Sequence, residues 1–280
     1  MGTSTSSSGG RAGSPLDPAW LPADGAGGTD SGAGEGQGDD REPADGADQD
    51  GQGDAATQRE DLAPSRRFAP ARTSLSTYLR TGDKTHLGAA IGSAVRKGMG
   101  GPRRAASTMR RTAQGAAAVG EVLTGLRERD TPQFQNLVQR FQTEGLSIQD
   151  LILEVIKEAL PSSGSIDEDS VQDAATEALS EFFEQHPDAD PLALSDDQIQ
   201  EVVAVTIAND IMHRLDQQLG QTYERLKLDP VQVQVRRNEA KEYVKAVVQV
   251  ERERAGKLPT DLQTFASSVL ASALEVFSEP

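Results

Sequence analysis

The chain has 280 residues with 28 Lys and Arg against 44 Asp and Glu, a formal charge of −16, no cysteine and three histidines. The lack of cysteine closes disulfide, thiolate-metal and thiol-nucleophile chemistry. No apolar run approaches the roughly 20 residues needed to span a bilayer, and the start lacks the basic stretch and apolar core of a secretory signal, so the expectation is a cytoplasmic protein with no membrane segment.

Residues 1–70 are dominated by Gly, Ser, Asp, Ala and Pro and carry 5 basic and 13 acidic residues. Their few large apolar side chains cannot offset the entropy of ordering the segment, which predicts a disordered leader running into an acidic Gly/Ala/Asp linker at 24–54. Within it, removal of Met1 would expose the amine of Gly2, a group that titrates near pH 8 and is partly neutral and nucleophilic at cellular pH. Met1-Gly2-Thr3-Ser4-Thr5-Ser6 also fits the short myristoylation pattern. That alternative makes the protein a lipid-anchored helical scaffold, although one acyl chain anchors only marginally.

Residues 71–130 reverse the charge, with 11 basic against 4 acidic residues. Gly98, Gly100, Gly101 and Pro102 separate two helices here. Gly88, Ala89 and Gly92 leave room for a neighbouring helix. Arg96, Lys97, Arg103, Arg104, Arg110 and Arg111 form a basic contact patch. Charge neutralisation alone would let it bind nucleic acid, but few aromatics interleave, so pairing with protein carboxylates is the favoured reading.

Residues 131–280 form an acidic region with 12 basic and 27 acidic residues and a sustained 3.6-residue apolar period. The stripes run through 148–160, 171–183 and 262–277. The segment from Ser195 to Leu219 carries two stripes, Ile199/Val202/Val203/Ile207/Ile211 and Val205/Ala208/Met212/Leu215/Leu219, which predicts a central helix packed on two sides. Ser165-x-x-Glu168, Ser195-x-x-Gln198 and Thr260-x-x-Gln263 read as capping boxes, and Thr131-Pro132 and Asp229-Pro230 as an N-cap followed by proline at the first helical position. Val231, Val233 and Val235 alternate as a strand would, but the residues after them return to helical spacing, which predicts one helix. The predicted fold is therefore all-α: a multi-helix bundle behind a long disordered acidic tail, divided by charge at residues 70 and 130.

Enzyme signatures are missing. His86, His186 and His213 lack metal-site spacing, no phosphate-cradling GxxxxGK[ST] or GxSxG elbow occurs, and the carboxylates fall on helix surfaces. The expectation is a non-enzymatic protein with no metal and no cofactor.

Met1-Gly2-Thr3-Ser4, followed by Ser14-Pro15-Leu16-x-Pro18-x-Trp20, resembles the leader of the QatB family of the four-component bacterial Qat anti-phage system. Leu87-Gly-x-Ala-Ile-Gly through Gly100-Gly-Pro-Arg-Arg-Ala-Ala106 resembles the Gly/Arg-rich region of the same family. The likeness covers the leader and residues 72–125; the acidic half matches only in character. The resemblance implies partners: a P-loop ATPase, a relative of the deazaguanine-forming enzyme QueC, and a TatD-like nuclease. It also implies that Gly2 accepts a deazaguanine through an amide bond, with Thr3, Ser4, Ser14, Pro15, Leu16, Pro18 and Trp20 as the partner-recognition motif.

Overall fold

The computed structural model describes residues 66–161, 166–256 and 261–279. Among them are eleven α-helices and no strand, and the helices from Phe68 to Phe277 contribute to one apolar core. The core is continuous across residue 130, where the charge changes sign.

The first helices are α1 (Ala69–Thr81) and α2 (Lys84–Ser93). Gly82 ends α1 in the left-handed region at φ 74°, and the Asp83 side chain accepts from the Thr85 amide to start α2. A π turn over Ala94–Gly98 then carries the chain to Gly100 and Gly101, both at positive φ, and Pro102 opens α3 (Pro102–Thr108). A Cβ on Gly98 would fall 2.2 Å from the Phe68 ring, so the absence of a side chain there lets Phe68 seat on the turn. Of the small residues expected to admit a neighbour, Gly92 does so: a Cβ there would lie 2.8 Å from the carbonyl oxygen of Phe277.

Two helices organise the rest. α4 (Arg110–Glu128) presents Gly115, Gly120 and Gly125 to different partners: Cβ atoms there would meet Val171 at 2.4 Å, Val203 at 2.9 Å and Phe134 at 2.2 Å. α8 (Asp196–Leu219) is the central helix, buried on both predicted stripes except at half-buried Val205, and is packed by α4, α7 (Ile166–Gln185) and α10 (Pro230–Ala255). α5 (Pro132–Glu144) and α6 (Ile148–Ala159) lie against α4, and α11 (Leu262–Ser278) packs on α3, α4 and α10. α9 (Gln221–Arg225) is a single short turn between α8 and α10.

The caps mostly follow the sequence. Ser195 and Gln198 form the reciprocal box that opens α8, Thr131 and Asp229 cap α5 and α10 ahead of a proline, and Val231–Val235 are helical. Ser147 and Asp150 make a further box that the Glu/Gln pattern passes over, because aspartate also reaches back. The start of α11 is a correction: the cap is Asp261, whose side chain accepts from the Gln263 amide and the Thr264 hydroxyl. Thr260, one residue before that cap, lies outside the described residues, as does Ser165.

Candidate functional site

Residues 66–120 hold eleven Arg and Lys and a single acid, Asp83. The basic patch built from this excess divides in two. Arg96, on the π turn, donates through Nη1 to the carbonyls of Ser278 (2.7 Å) and Glu279 (3.0 Å), where it satisfies the orphan acceptors at the end of α11. Arg111 pairs with Glu168 of α7 at 2.9 Å, above an apolar hollow of about 350 Å³ between α4, α6 and α7. Lys97, Arg103, Arg104 and Arg110 are exposed, and no carboxylate among the described residues pairs with them. Only Met109 separates α3 from α4, so Arg103, Arg104 and Arg110 project from one nearly continuous helical ridge.

On the far side of α4 lies a polar junction that the reading of apolar stripes missed. Asp210 of α8 has no exposure to solvent. Its Oδ1 accepts from the Ser170 hydroxyl at 2.6 Å, and its Oδ2 accepts from the Thr112 hydroxyl and from Arg214 Nε at 3.0 Å. Arg214 Nη1 continues to Asp167 at 3.1 Å. Three helices (α4, α7 and α8) thus share one buried carboxylate. With both oxygens engaged and no route to solvent, Asp210 pins these helices together; it has no lone pair aimed at a substrate. The signal was present in the sequence: Thr206, Asn209, Asp210 and His213 make a polar stripe inside the apolar α8.

Beside that junction, α7 and α10 leave a cleft over α8. Its open part, about 520 Å³, is lined by Asp169, Asp173, Glu177, His213, Asp216 and Arg237. An adjoining smaller part of about 170 Å³ reaches Asn209, Gln234, Asn238 and Lys241. Lys241 bridges Glu177 (3.0 Å) and Glu181 (2.6 Å) across the gap, and Lys245 also reaches Glu181. Burial pushes the Glu181 carboxyl up, but hydrogen bonds from the two lysines outweigh it and hold its pKa below the usual carboxylate value. Burial raises the Tyr223 hydroxyl nearby, and the Asp216 carboxylate it donates to adds to that effect. Asn209 is fully buried; its Nδ2 donates to the Ala174 carbonyl at 3.4 Å, while its Oδ1 has no partner.

Among the described residues no group of three or more acidic or histidine side chains is placed to hold a metal ion, and no helix is long and apolar enough to cross a membrane. Gly2, Thr3, Ser4, Ser14, Pro15, Leu16, Pro18 and Trp20 lie outside the described residues.

These features define an all-α protein with one core, a cationic ridge and a cleft walled by carboxylates. A family model described as Qat anti-phage system associated protein QatB matches residues 100–277. The matched span is more than half of the chain, and the chain belongs to the QatB family, a component of an anti-phage defence system. The match begins at the Gly100-Gly101-Pro102 turn and continues through α11, so the acidic helical half carries family identity as well as its character. No curated protein and no solved structure matches the chain.

Proposed function

We propose that this chain is a non-enzymatic component of its defence system whose leader is chemically modified and whose helical body binds partner subunits in the cytoplasm. In this reading Gly2 is the acceptor. A QueC-like partner adenylates the carboxylate of a deazaguanine with ATP, releasing pyrophosphate. The neutral Gly2 amine then attacks the activated carbonyl carbon; the new C–N bond replaces the acyl–adenylate bond, AMP departs and one proton is released. Glycine suits the role because it has no side chain to obstruct attack, and an α-amine titrating near pH 8 supplies the free base. Thr3, Ser4, Ser14, Pro15, Leu16, Pro18 and Trp20 recruit the enzyme, and the P-loop ATPase and TatD-like nuclease of the same system are the remaining partners. No bound cofactor is required.

The observation that carries this reading is family membership over α3–α11 joined to the Met1-Gly2-Thr3-Ser4 start and its Ser14–Trp20 motif. Intact-mass measurement of the full chain co-expressed with its partners tests it. The expected result is loss of Met1 and a mass increase matching one deazaguanine acyl group on Gly2, abolished when the QueC-like enzyme is omitted. An unmodified Gly2 under conditions where defence operates overturns it.

The cationic ridge serves in this scheme as a protein contact. A second reading, nucleic-acid binding, draws on the same exposed Lys97, Arg103, Arg104 and Arg110. Phosphate neutralisation predicts a gel shift that weakens steeply with salt and is lost in R103A/R104A; retention of partner binding by that variant would separate the two roles.

A further inference from the structure

The ridge and the cleft are chemically complementary, and each molecule carries both. Arg103, Arg104 and Arg110 present guanidinium groups, each with five donors and none of them paired with a carboxylate among the described residues. Guanidinium is more weakly hydrated than ammonium and suits a partly buried ion pair. Of the four carboxylates that line the cleft, Glu177 is held by Lys241 and Asp216 by Arg237, which leaves Asp169 and Asp173. These two acids lie four residues apart on the exposed face of α7 and form no ion pair among the described residues, an arrangement in which like charges repel. The fully buried Asn209 lines the adjoining smaller cavity, which shares Glu177, His213, Asp216 and Arg237 with the open part, and its Oδ1 has no partner. Such an acceptor is costly to leave unmet, and an N–H donor from outside satisfies it.

We propose that the α7–α8–α10 cleft of one molecule receives the arginine ridge of α3–α4 from a second copy of this chain. This rests on the reading of the ridge as a protein contact and names its partner. A convex helical ridge entering a groove between two helices is ordinary helix packing. Arg103 and Arg104 meet Asp169 and Asp173, and one guanidinium donates to Asn209 Oδ1. Because the two surfaces differ, the contact is head-to-tail and depends on concentration. The charged rim makes it sensitive to salt, since exposed charges are screened beyond about 8 Å at physiological ionic strength.

Sedimentation velocity on the full chain tests this. Self-association is expected at about 50 mM salt and is expected to weaken at about 500 mM. R103E/R104E and D169K/D173K each remove it while leaving the helical circular-dichroism spectrum intact. Mixed together, the two variants recover a 1:1 complex, because each retains the half that the other has lost. N209A, which changes no charge, weakens association about tenfold. A protein that stays monomeric at every salt concentration overturns the proposal. So does association untouched by either variant, or a mixture that fails to assemble. If R103E/R104E leaves self-association intact but abolishes a nucleic-acid gel shift, the ridge belongs to nucleic acid and the proposal also falls. Co-purification of the other Qat subunits with the same variants separates the two levels. Loss of those subunits without any self-association keeps the ridge as a protein contact and rejects the second copy; no loss of either rejects both.

Discussion

Asp210 accepts hydrogen bonds from Thr112, Ser170 and Arg214 with no atom exposed to solvent, so its removal leaves two hydroxyls and a guanidinium without a shared acceptor. Breaking a fully isolated buried pair from one side costs about 3–5 kcal/mol; here Arg214 keeps Asp167 at 3.1 Å, so the loss falls mainly on the Thr112 and Ser170 hydroxyls and lies toward the lower end of that range. Asp210→Ala is therefore expected to lower the urea midpoint severely. Asp210→Asn, which keeps the shape and part of the bonding, should cost about 1–3 kcal/mol. Glu181 gives a pH signature. Its folded pKa lies below the ordinary value of 4.5, held there by Lys241 and Lys245 against the opposing effect of burial. Its contribution is thus fully present above that ordinary value and is lost as the pH falls through the lower folded value. Glu181→Gln should reduce stability at pH 7 and flatten the acid limb of a stability–pH curve measured by denaturant titration. An unchanged acid limb would show that the lysines do not hold this carboxylate in solution.

At the scale of elements, the helices stop and start where short-range chemistry tells them to, and they meet where small residues allow. Ser195→Ala removes one side of the box that opens α8 and is expected to cost about 1 kcal/mol. Gly120 of α4 is tighter: a Cβ there lies 2.9 Å from Val203 and 3.0 Å from Leu262, so Gly120→Val forces α4 away from α8 and α11 together. Overpacking of this kind costs about 1–3 kcal/mol, read as a lower melting temperature with helix content preserved. The exposed Val231 and Val235 at the start of α10 explain the strand-like alternation in that stretch. Proline at the first helical position and the Asp229 cap set the local backbone, and a side-chain pattern with nothing to pack against imposes no register.

Over the whole molecule, charge and core do not follow the same boundary. The basic residues of 71–130 and the acidic residues of 131–280 suggest two regions, yet Leu79, Leu87, Val119, Ile207 and Phe277 belong to one buried cluster. Calorimetry should accordingly show a single unfolding transition, and Leu79→Ala and Phe277→Ala should lower that same transition; separate transitions for the two variants would mean independent domains. Tyr78 of α1 donates to Glu239 of α10 at 2.9 Å, and Arg96 closes the end of α11, so the N-terminal helices are fastened to the last ones by polar as well as apolar contacts. Much of this was legible beforehand. The helical period, the caps of α5, α8 and α10, and the central place of α8 all follow from residues within one or two turns of each other.

The sequence alone determined that the chain is helical and which apolar stripes face inward, because periodicity and capping are local and each acts over a few residues. It also placed the excess of positive charge before residue 130 and the leader motif around Gly2. Only the tertiary structure decided what those charges meet. Arg96 turned to the carbonyls of Ser278 and Glu279, Arg111 to Glu168, and Arg103, Arg104 and Arg110 to no carboxylate among the described residues. The shared carboxylate of Asp210 and the cleft beside it depend on three helices distant in sequence. A side chain's partner is fixed by distance in space, and no spacing along the chain encodes that distance.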